Sequence, residues 1–118
     1  MEFNSQKPIY LQIGDSICER ILSGEYAEED RIASVREFGA DIGVNPNTVM
    51  RTYEKLTADG IIYNRRGIGY FISKGAREAV LKKEREQFLS EEMPRILHRM
   101  NLLGLGPEDI RPLFNLSK

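Results

Sequence analysis

The sequence has one cysteine, one histidine and no tryptophan among its 118 residues. The single cysteine, Cys18, excludes a disulfide within the chain and suits a reducing compartment. The single histidine, His98, has no cysteine or second histidine at ligand spacing, so we expect no metal site and no cofactor. No Ser/His/Asp, Cys/His or paired-carboxylate arrangement has a supporting scaffold, and we therefore expect no enzyme.

Long apolar runs are also missing. No stretch approaches the roughly 18 residues that a membrane-spanning helix requires. The first residues, Met1–Gln6, lack the basic and apolar regions of a signal peptide. We therefore expect a cytoplasmic protein with no membrane partner.

Charge of one sign is not in large excess, because the formal net charge is −1 and the pI is near 5.9. This total argues weakly against nucleic-acid binding. The distribution changes that interpretation, since residues 31–75 hold seven Lys and Arg against four Asp and Glu, whereas residues 1–30 hold two against seven. Attraction to phosphate depends on local cations, so residues 31–75 are the candidate nucleic-acid-binding segment.

The first periodic segment predicts an amphipathic helix over residues 9–23, with apolar residues at steps of three and four. Pro8 suits the start of this helix, and Gly24 suits the left-handed position just after its end. Cys18 lies on the apolar side and predicts core packing. Tyr10 lies in the same apolar stripe, and we expect it in the core rather than in base stacking.

Residues 34–60 predict two short helices joined by a tight turn. Ser34 and Glu37 form a capping box at the start of the first helix, in which each side chain can satisfy an orphan backbone donor. Gly43 suits the end of that helix, and the three-residue gap that follows has the length of a helix-turn-helix turn. The expected buried positions of the pair are Val35, Phe38, Ile42, Val49, Tyr53 and Leu56.

The second helix of the pair is predicted from about Pro46 to Asp59, with Asn45 as its N-cap. One of its faces is polar and cationic, because the residues concerned recur at steps of three and four. In a helix-turn-helix this helix enters the major groove of double-stranded DNA. The candidate base-contacting residues are Asn47, Thr48, Arg51 and Lys55. The open alternatives are that Arg51 is a solvated surface arginine and that Lys55, late in the helix, points away from the groove.

Beyond Gly60 the pattern changes to two short strands, residues 61–64 and 70–73, which are rich in β-branched and aromatic side chains. The tip between them, Arg65–Gly69, contains two arginines and two glycines. A hairpin directly after a recognition helix is a wing, and its basic tip could reach phosphate or the minor groove. The GxG pattern in the tip does not open a helix within a βαβ unit, so it does not predict a nucleotide loop.

Residues 76–118 predict two further helices. Pro94 should kink or break the first one, because proline removes a backbone donor. Two such helices cannot form a core of their own, so we expect a partner surface, and a second copy of the chain is the simplest candidate. The expected dimer-interface residues are Phe88, Leu89, Met93, Ile96, Leu97, Met100 and Leu103.

These segments together predict a mainly α protein with a small β-hairpin. We expect a winged helix-turn-helix domain over residues 1–75 and a short C-terminal helical dimerisation region over residues 76–118.

The motifs resemble the GntR family of bacterial transcription regulators, and more closely its small YtrA-like branch. The resemblance implies a sequence-specific regulator that binds a palindromic operator as a homodimer, and suggests a repressor of a nearby operon, with transporter genes as one class of target. The segments that carry it are Pro8–Ile13, Asp30–Glu37, Val44–Val49, Tyr53–Leu56, Asp59–Ile62, Arg65–Phe71 and Leu102–Leu105.

The resemblance also implies DNA contacts at particular positions. Longer family members usually have arginines where this chain has Pro46 and Met50, so Arg51 is the expected substitute. Arg36 could instead pair with a nearby carboxylate such as Glu37. The positions that match DNA-contacting positions of the family are Arg36, Asn45, Asn47, Thr48, Arg65, Arg66 and Gly67.

Two alternatives stay open at this point. A winged helix can be a protein-interaction module without a DNA role, and the slight net negative charge favours that interpretation. A dimer interface around Phe88, Met93 and Met100 could also hold a small-molecule effector. No set of convergent polar groups accompanies these apolar residues, so packing is the better account of them, and the effector is unknown.

Overall fold

A computed structural model describes residues 7–116 of the chain. The chain divides into two compact units, of which the first ends at Lys82 and the second begins at Lys83. No helix within the described range is long and apolar enough to cross a bilayer. The elements in chain order are α1 (Ile9–Ser23), β1 (Arg31–Ile32), α2 (Val35–Ile42), α3 (Pro46–Ala58), β2 (Ile62–Arg65), β3 (Gly69–Ile72), α4 (Ala76–Gln87), a π-helical turn (Phe88–Glu92), α5 (Met93–Leu103) and α6 (Pro107–Leu116).

Helix α1 has the bounds that the periodicity predicts. Pro8 precedes it, and Gly24 follows it with φ +87°, a left-handed conformation that costs glycine little. The apolar face of α1 enters the core, where Ile13, Ile17 and Cys18 are buried. Tyr10 is an exception to the prediction. It lies at the exposed edge of the stripe and is only half-buried, because the first turn of α1 is at the margin of the core.

Helices α2 and α3 form the predicted helix-turn-helix. Gly43 ends α2 with φ +70°. Helix α3 ends at Ala58, one residue before the predicted position, with Asp59 as its C-cap. Phe38 is buried on α2, Val35 and Ile42 are half-buried, and the buried residues of α3 are Val49, Thr52, Tyr53 and Leu56.

The sheet has three antiparallel strands in the order β1-β3-β2 rather than two. Strand β1 was missing from the prediction, because two residues are too few to show an alternating pattern. It pairs Arg31 with Phe71 and Ile32 with Tyr70. The wing strands pair from Ile62 opposite Ile72 to the wing tip, and their bounds differ by one residue from those predicted.

The first compact unit extends beyond the wing into α4. The sequence places a boundary after residue 75, at the end of the hairpin, whereas the first unit includes the chain as far as Lys82. The reason is packing, since Ala76 and Val80 of α4 are buried in the same hydrophobic core as α1, α3 and the sheet.

The second unit contains the π-helical turn, α5 and α6. The Met93 N–H donates to the carbonyl of Phe88, five residues earlier, which is the π-helical pattern. This interruption lies directly before Pro94, where the sequence predicts a kink or break, since proline has no N–H for the regular ladder. Gly104 ends α5 with φ +70°. Helix α6 carries an internal proline, Pro112.

Candidate nucleic-acid interface

The predicted capping box fixes the start of α2. The Ser34 hydroxyl oxygen accepts from the Glu37 N–H at 3.1 Å, and the Glu37 carboxylate accepts from the Ser34 N–H at 3.2 Å. Hydrogen bonds that the Ser34 side chain and the Ser34 N–H donate to the carboxylate hold the pKa of Glu37 below its ordinary value, and the charge of Arg31 lowers it further. Arg36 is exposed. Within the described range it forms no ion pair with Glu37 or Asp41, so its charge faces solvent.

The start of α3 uses one predicted contact residue as a cap. The Asn45 side-chain oxygen accepts from the Asn47 N–H at 2.8 Å. Pro46 follows at the first helical position, where a missing N–H has little cost. The cap uses the Asn45 acceptor and leaves its NH₂ group able to donate to an anion. Asn47 is exposed and Thr48 is half-buried on the next positions of the helix.

Arg51 lies on the exposed face of α3 and stacks on an aromatic ring of α1. Its guanidinium carbon is 4.0 Å from the centre of the Tyr10 ring. The hydroxyl of the neighbouring residue, Thr52, donates to the Tyr10 carbonyl at 2.7 Å. The two helices are therefore joined at the point where the predicted base-contacting arginine lies.

Lys55 has an intrahelical partner. Its ammonium group lies 3.0 Å from the Asp59 carboxylate, at i,i+4 spacing on α3. Both side chains are partly exposed, so the pair contributes little to stability. It nevertheless places a negative charge beside Lys55, and a phosphate would have to compete with that carboxylate.

The wing tip is a tight turn with two arginines. The Ile68 N–H donates to the Arg65 carbonyl at 2.8 Å, and Gly67 adopts φ +79°, which a side chain would disfavour. The Arg65 guanidinium lies 5.5 Å from the centre of the Phe71 ring. Arg66 is exposed in the turn, without an ion pair among the residues that the structure describes.

Aromatic side chains connect the wing to the recognition helix. The Tyr53 and Tyr70 rings pack edge to face with centres 4.8 Å apart. The Tyr70 hydroxyl also lies 4.0 Å from the Met50 sulfur. Strand β3 is therefore packed directly on α3, and the wing and the recognition helix belong to one unit.

Arg31 is a further cation close to the wing, and it is not among the predicted DNA-contacting residues. Its guanidinium reaches the wing tip, because a Cβ added to Gly69 would stand 2.9 Å from the Arg31 Nε. Its position on β1 places it between the start of α2 and the wing. The available signal was the excess of cations in residues 31–75, but the strand that orients Arg31 was not predicted.

The residues predicted for the dimer interface are accessible within the single chain. Met93 and Met100 are half-buried, and the other five are between 44% and 64% exposed. No described residue of the π-helical turn, α5 or α6 is buried. Further exposed apolar side chains in the same segment are Leu102, Leu105, Leu113, Phe114 and Leu116.

Comparison with known proteins identifies the unit that carries α2, α3 and the wing. The family model described as "Bacterial regulatory proteins, gntR family" matches residues 9–72, from the start of α1 to the end of β3. The chain belongs to the GntR family.

Relatives of this GntR-family protein match most of its length. An uncharacterized HTH-type transcriptional regulator of Bacillus subtilis, YhcF, is 38% identical over 92% of this chain and 88% of its own. The HTH-type transcriptional repressor YtrA of the same organism is 33% identical over 90% of this chain and 81% of its own. Similarity to YtrA over both regions of the chain supports the YtrA-like branch.

Solved structures agree with this assignment. A GntR-family transcriptional regulator from Bacteroides thetaiotaomicron has a TM-score of 0.76 at 44% identity, and the match covers 92% of this chain and 95% of that one. The DNA-binding domain of AraR in complex with operator ORR3 has a TM-score of 0.55 at 26% identity, over 62% and 86% of the two chains.

The GntR-family protein is a transcriptional regulator with a winged helix-turn-helix DNA-binding domain, which is the predicted fold and function. Regulators of this type bind operator DNA, as the AraR complex illustrates. The family is one of transcription factors and not of enzymes. These findings disfavour the protein-interaction alternative, which the net charge alone had suggested.

Proposed function

We propose that this GntR-family regulator is a homodimeric repressor, and that two copies of its winged helix bind the two halves of a palindromic operator in the cytoplasm. The observation that carries the proposal is the unburied apolar surface of the second unit, whose described helices contain no buried residue. An apolar surface of this kind favours association with another chain, and a symmetric dimer matches a palindromic site.

On this proposal the DNA contacts divide by chemistry. Asn47, Thr48 and Arg51, on the exposed face of α3, contact base edges in the major groove. The remaining proposed contacts position the protein on the backbone or in the minor groove, and they are Arg36, Asn45, Lys55, Arg65, Arg66 and Gly67.

Arg51 is the strongest candidate for direct base recognition. Its guanidinium has no ion pair among residues 7–116, so its donors are available to the two acceptors of a guanine. Lys55 is the weakest candidate, because Asp59 already lies 3.0 Å from its ammonium group. We therefore expect Lys55 to contribute less to DNA binding than Arg51.

The proposed dimer interface contains the predicted residues on the π-helical turn and α5. Within α5, Met93, Ile96, Met100 and Leu103 follow steps of three and four and share one face. Pairing two DNA-binding units makes the second contact intramolecular, so the dimer binds far more tightly than either unit alone.

Repression is proposed from similarity to YtrA, which is named as a repressor. A reporter gene with the operator next to its promoter tests the sign of regulation. Expression of this protein should lower transcription of the reporter, and scrambling the operator should remove the effect. A rise in transcription would identify an activator instead. Operators found next to transporter genes would support the target class that the resemblance suggests.

The central experiment is selection of duplexes from a random-sequence library by the full chain. The selected duplex should contain an inverted repeat. Fluorescence anisotropy should then show tighter binding to this duplex than to a scrambled one, with log affinity falling steeply against log salt between about 50 and 200 mM. Equal affinity for the selected and scrambled duplexes would refute sequence-specific binding.

A further inference from the structure

Arg51 and Tyr10 form a stacked pair between α3 and the first turn of α1. The guanidinium carbon lies 4.0 Å from the ring centre, close enough for a cation–π interaction. Stacking occupies the flat face of the guanidinium and leaves the N–H donors along its edge available. Those donors have no carboxylate partner in residues 7–116. The arginine is therefore held in orientation and still able to bind a ligand through its edge.

The backbone of Tyr10 is held close to Arg51. The Thr52 hydroxyl donates to the Tyr10 carbonyl at 2.7 Å, and Thr52 is 1% exposed. One turn later on α1, a Cβ added to Gly14 would lie 3.7 Å from the Thr52 side chain, which shows how closely the helices approach. The backbone at Tyr10 is thus bonded to the residue that directly follows Arg51, which fixes the point on α1 from which the ring extends toward α3.

Tyr10 contacts Arg51 through its ring. No hydrogen bond or ion pair involves the Tyr10 hydroxyl within the described range. Lys55, one turn along α3, stacks on no aromatic ring of residues 7–116 and lies against Asp59 instead. The two cations on the exposed face of α3 therefore differ. Arg51 packs on an aromatic ring, whereas Lys55 is paired with a carboxylate.

We propose that Tyr10 is a positioning residue for DNA recognition, because its ring orders Arg51 before DNA binds. The inference rests on the proposed function, in which Arg51 contacts a guanine edge. A long flexible side chain loses conformational freedom when it is immobilised on a partner, and a side chain that is already ordered loses less. Arg51 can donate two parallel hydrogen bonds to guanine O6 and N7 only in one orientation of its planar group. Tyr10 thereby raises affinity for the correct base pair without touching DNA.

The test compares Tyr10→Leu with Tyr10→Phe in the full chain. Tyr10→Leu should weaken binding to the selected duplex by about three- to ten-fold, which is the range expected for ordering one flexible side chain. Affinity for a scrambled duplex and the dependence on salt should stay unchanged, because no phosphate contact is removed. Tyr10→Phe keeps the ring and should bind like the original protein. In an Arg51→Ala background, Tyr10→Leu should have no further effect.

Each outcome has one meaning. If the original protein does not discriminate between the duplexes, or if Arg51→Ala leaves discrimination intact, the proposed base contact fails. If Arg51→Ala lowers discrimination and Tyr10→Leu does not, only the role of Tyr10 fails. Tighter binding by Tyr10→Leu would also overturn it, since the ring would then be holding Arg51 away from DNA. Equal losses of affinity for both duplexes would indicate a general structural effect instead of a role in positioning Arg51.

Should Tyr10→Leu unfold, Tyr10→Met removes the ring while keeping an apolar side chain of similar reach.

Discussion

Gly39 of α2 lies against the carbonyl group of Val44 in the helix-turn-helix turn. A Cβ added to Gly39 would stand 2.6 Å from the Val44 oxygen, closer than side-chain carbons approach backbone oxygens. The Val44 N–H also donates to the Gly39 carbonyl at 2.8 Å. The absence of a side chain at Gly39 therefore allows the chain to turn tightly enough to place α3 against α2.

We predict that Gly39→Ala destabilises the protein. The added methyl group must displace backbone rather than a flexible side chain, so the free energy of unfolding should fall by about 1–3 kcal/mol. Urea denaturation measures the change. Gly14→Ala is the matched control, because a Cβ there would meet only side-chain atoms at 3.7 and 3.9 Å. It should be neutral or slightly stabilising, since alanine favours a helix over glycine by about 1 kcal/mol or less. Equal losses for the two variants would contradict this account of the turn.

A buried hydrogen bond from Tyr53 should stabilise the contact between α3 and the segment before α2. The Tyr53 hydroxyl donates to the Ala33 carbonyl at 2.6 Å, and the side chain is fully buried. Tyr53→Phe should lower the free energy of unfolding by about 1–2 kcal/mol. Tyr70→Phe serves as the control, because the one partner of its hydroxyl among residues 7–116 is the Met50 sulfur at 4.0 Å. Its free energy of unfolding should fall by less.

Tyr53 should also give the stability a dependence on alkaline pH. Burial raises the pKa of Tyr53 far above its ordinary value, and nearby tyrosines and Glu37 raise it further. In the unfolded chain a tyrosine ionises at about pH 10. The folded state therefore retains a proton that the unfolded state loses, and stability should fall as pH rises above about 10. Denaturation at pH about 8 and about 11 should show a smaller decrease for Tyr53→Phe. An unchanged decrease would show that other groups cause it.

The arginine of the wing turn should contribute to affinity without contributing to sequence preference. Arg66 is exposed and unpaired within the described residues, so it can approach a phosphate. Arg66→Ala should weaken binding to the selected and scrambled duplexes by the same factor, and should reduce the slope of log affinity against log salt by about 0.9. Lys55→Ala is the comparison, and its slope should change less, because Asp59 already neutralises Lys55. A loss confined to the selected duplex would mean that Arg66 contacts a base.

The apolar face of α5 should hold two copies of the chain together. Replacing Leu97 and Met100 with glutamate should produce monomers in analytical ultracentrifugation and weaken operator binding at the same time, since two linked contacts become one. His98→Glu is the control, because His98 lies roughly 160° around the helix from Met100. It adds one negative charge to the same helix, against two for the double substitution, and should leave the dimer intact. A dimer that survives the double substitution would exclude this face as the interface.

Local chemistry made much of the fold predictable. The capping box of Ser34 and Glu37 depends on side chains three residues apart, and the left-handed turn at Gly43 depends on one residue. Both are visible in the sequence and both occur in the structure. The change of period after Gly60 predicted the wing for the same reason, because alternation is a property of neighbouring residues.

Contacts between distant segments account for the features of the fold that the sequence did not predict. Strand β1 forms only because Arg31 and Ile32 pair with β3, about forty residues later in the chain. Ala76 and Val80 pack in the core of the first unit although the hairpin has already ended, and this unit extends to Lys82. Neither the β1–β3 pairing nor the packing of α4 has a local sequence signature, because each depends on where the core lies after the elements have assembled.

The sequence by itself determined the winged helix-turn-helix, the cationic segment around it and the set of candidate DNA-contacting residues, because caps, periodicity and local charge depend on residues that are close together in the chain. Only the tertiary structure decided how those residues are presented. It brings Tyr10 beneath Arg51 from a different helix and lays Arg31 across the wing at Gly69. Residues far apart in the chain become neighbours only when the core packs, and that packing distinguishes an arginine held in orientation from one that is merely exposed.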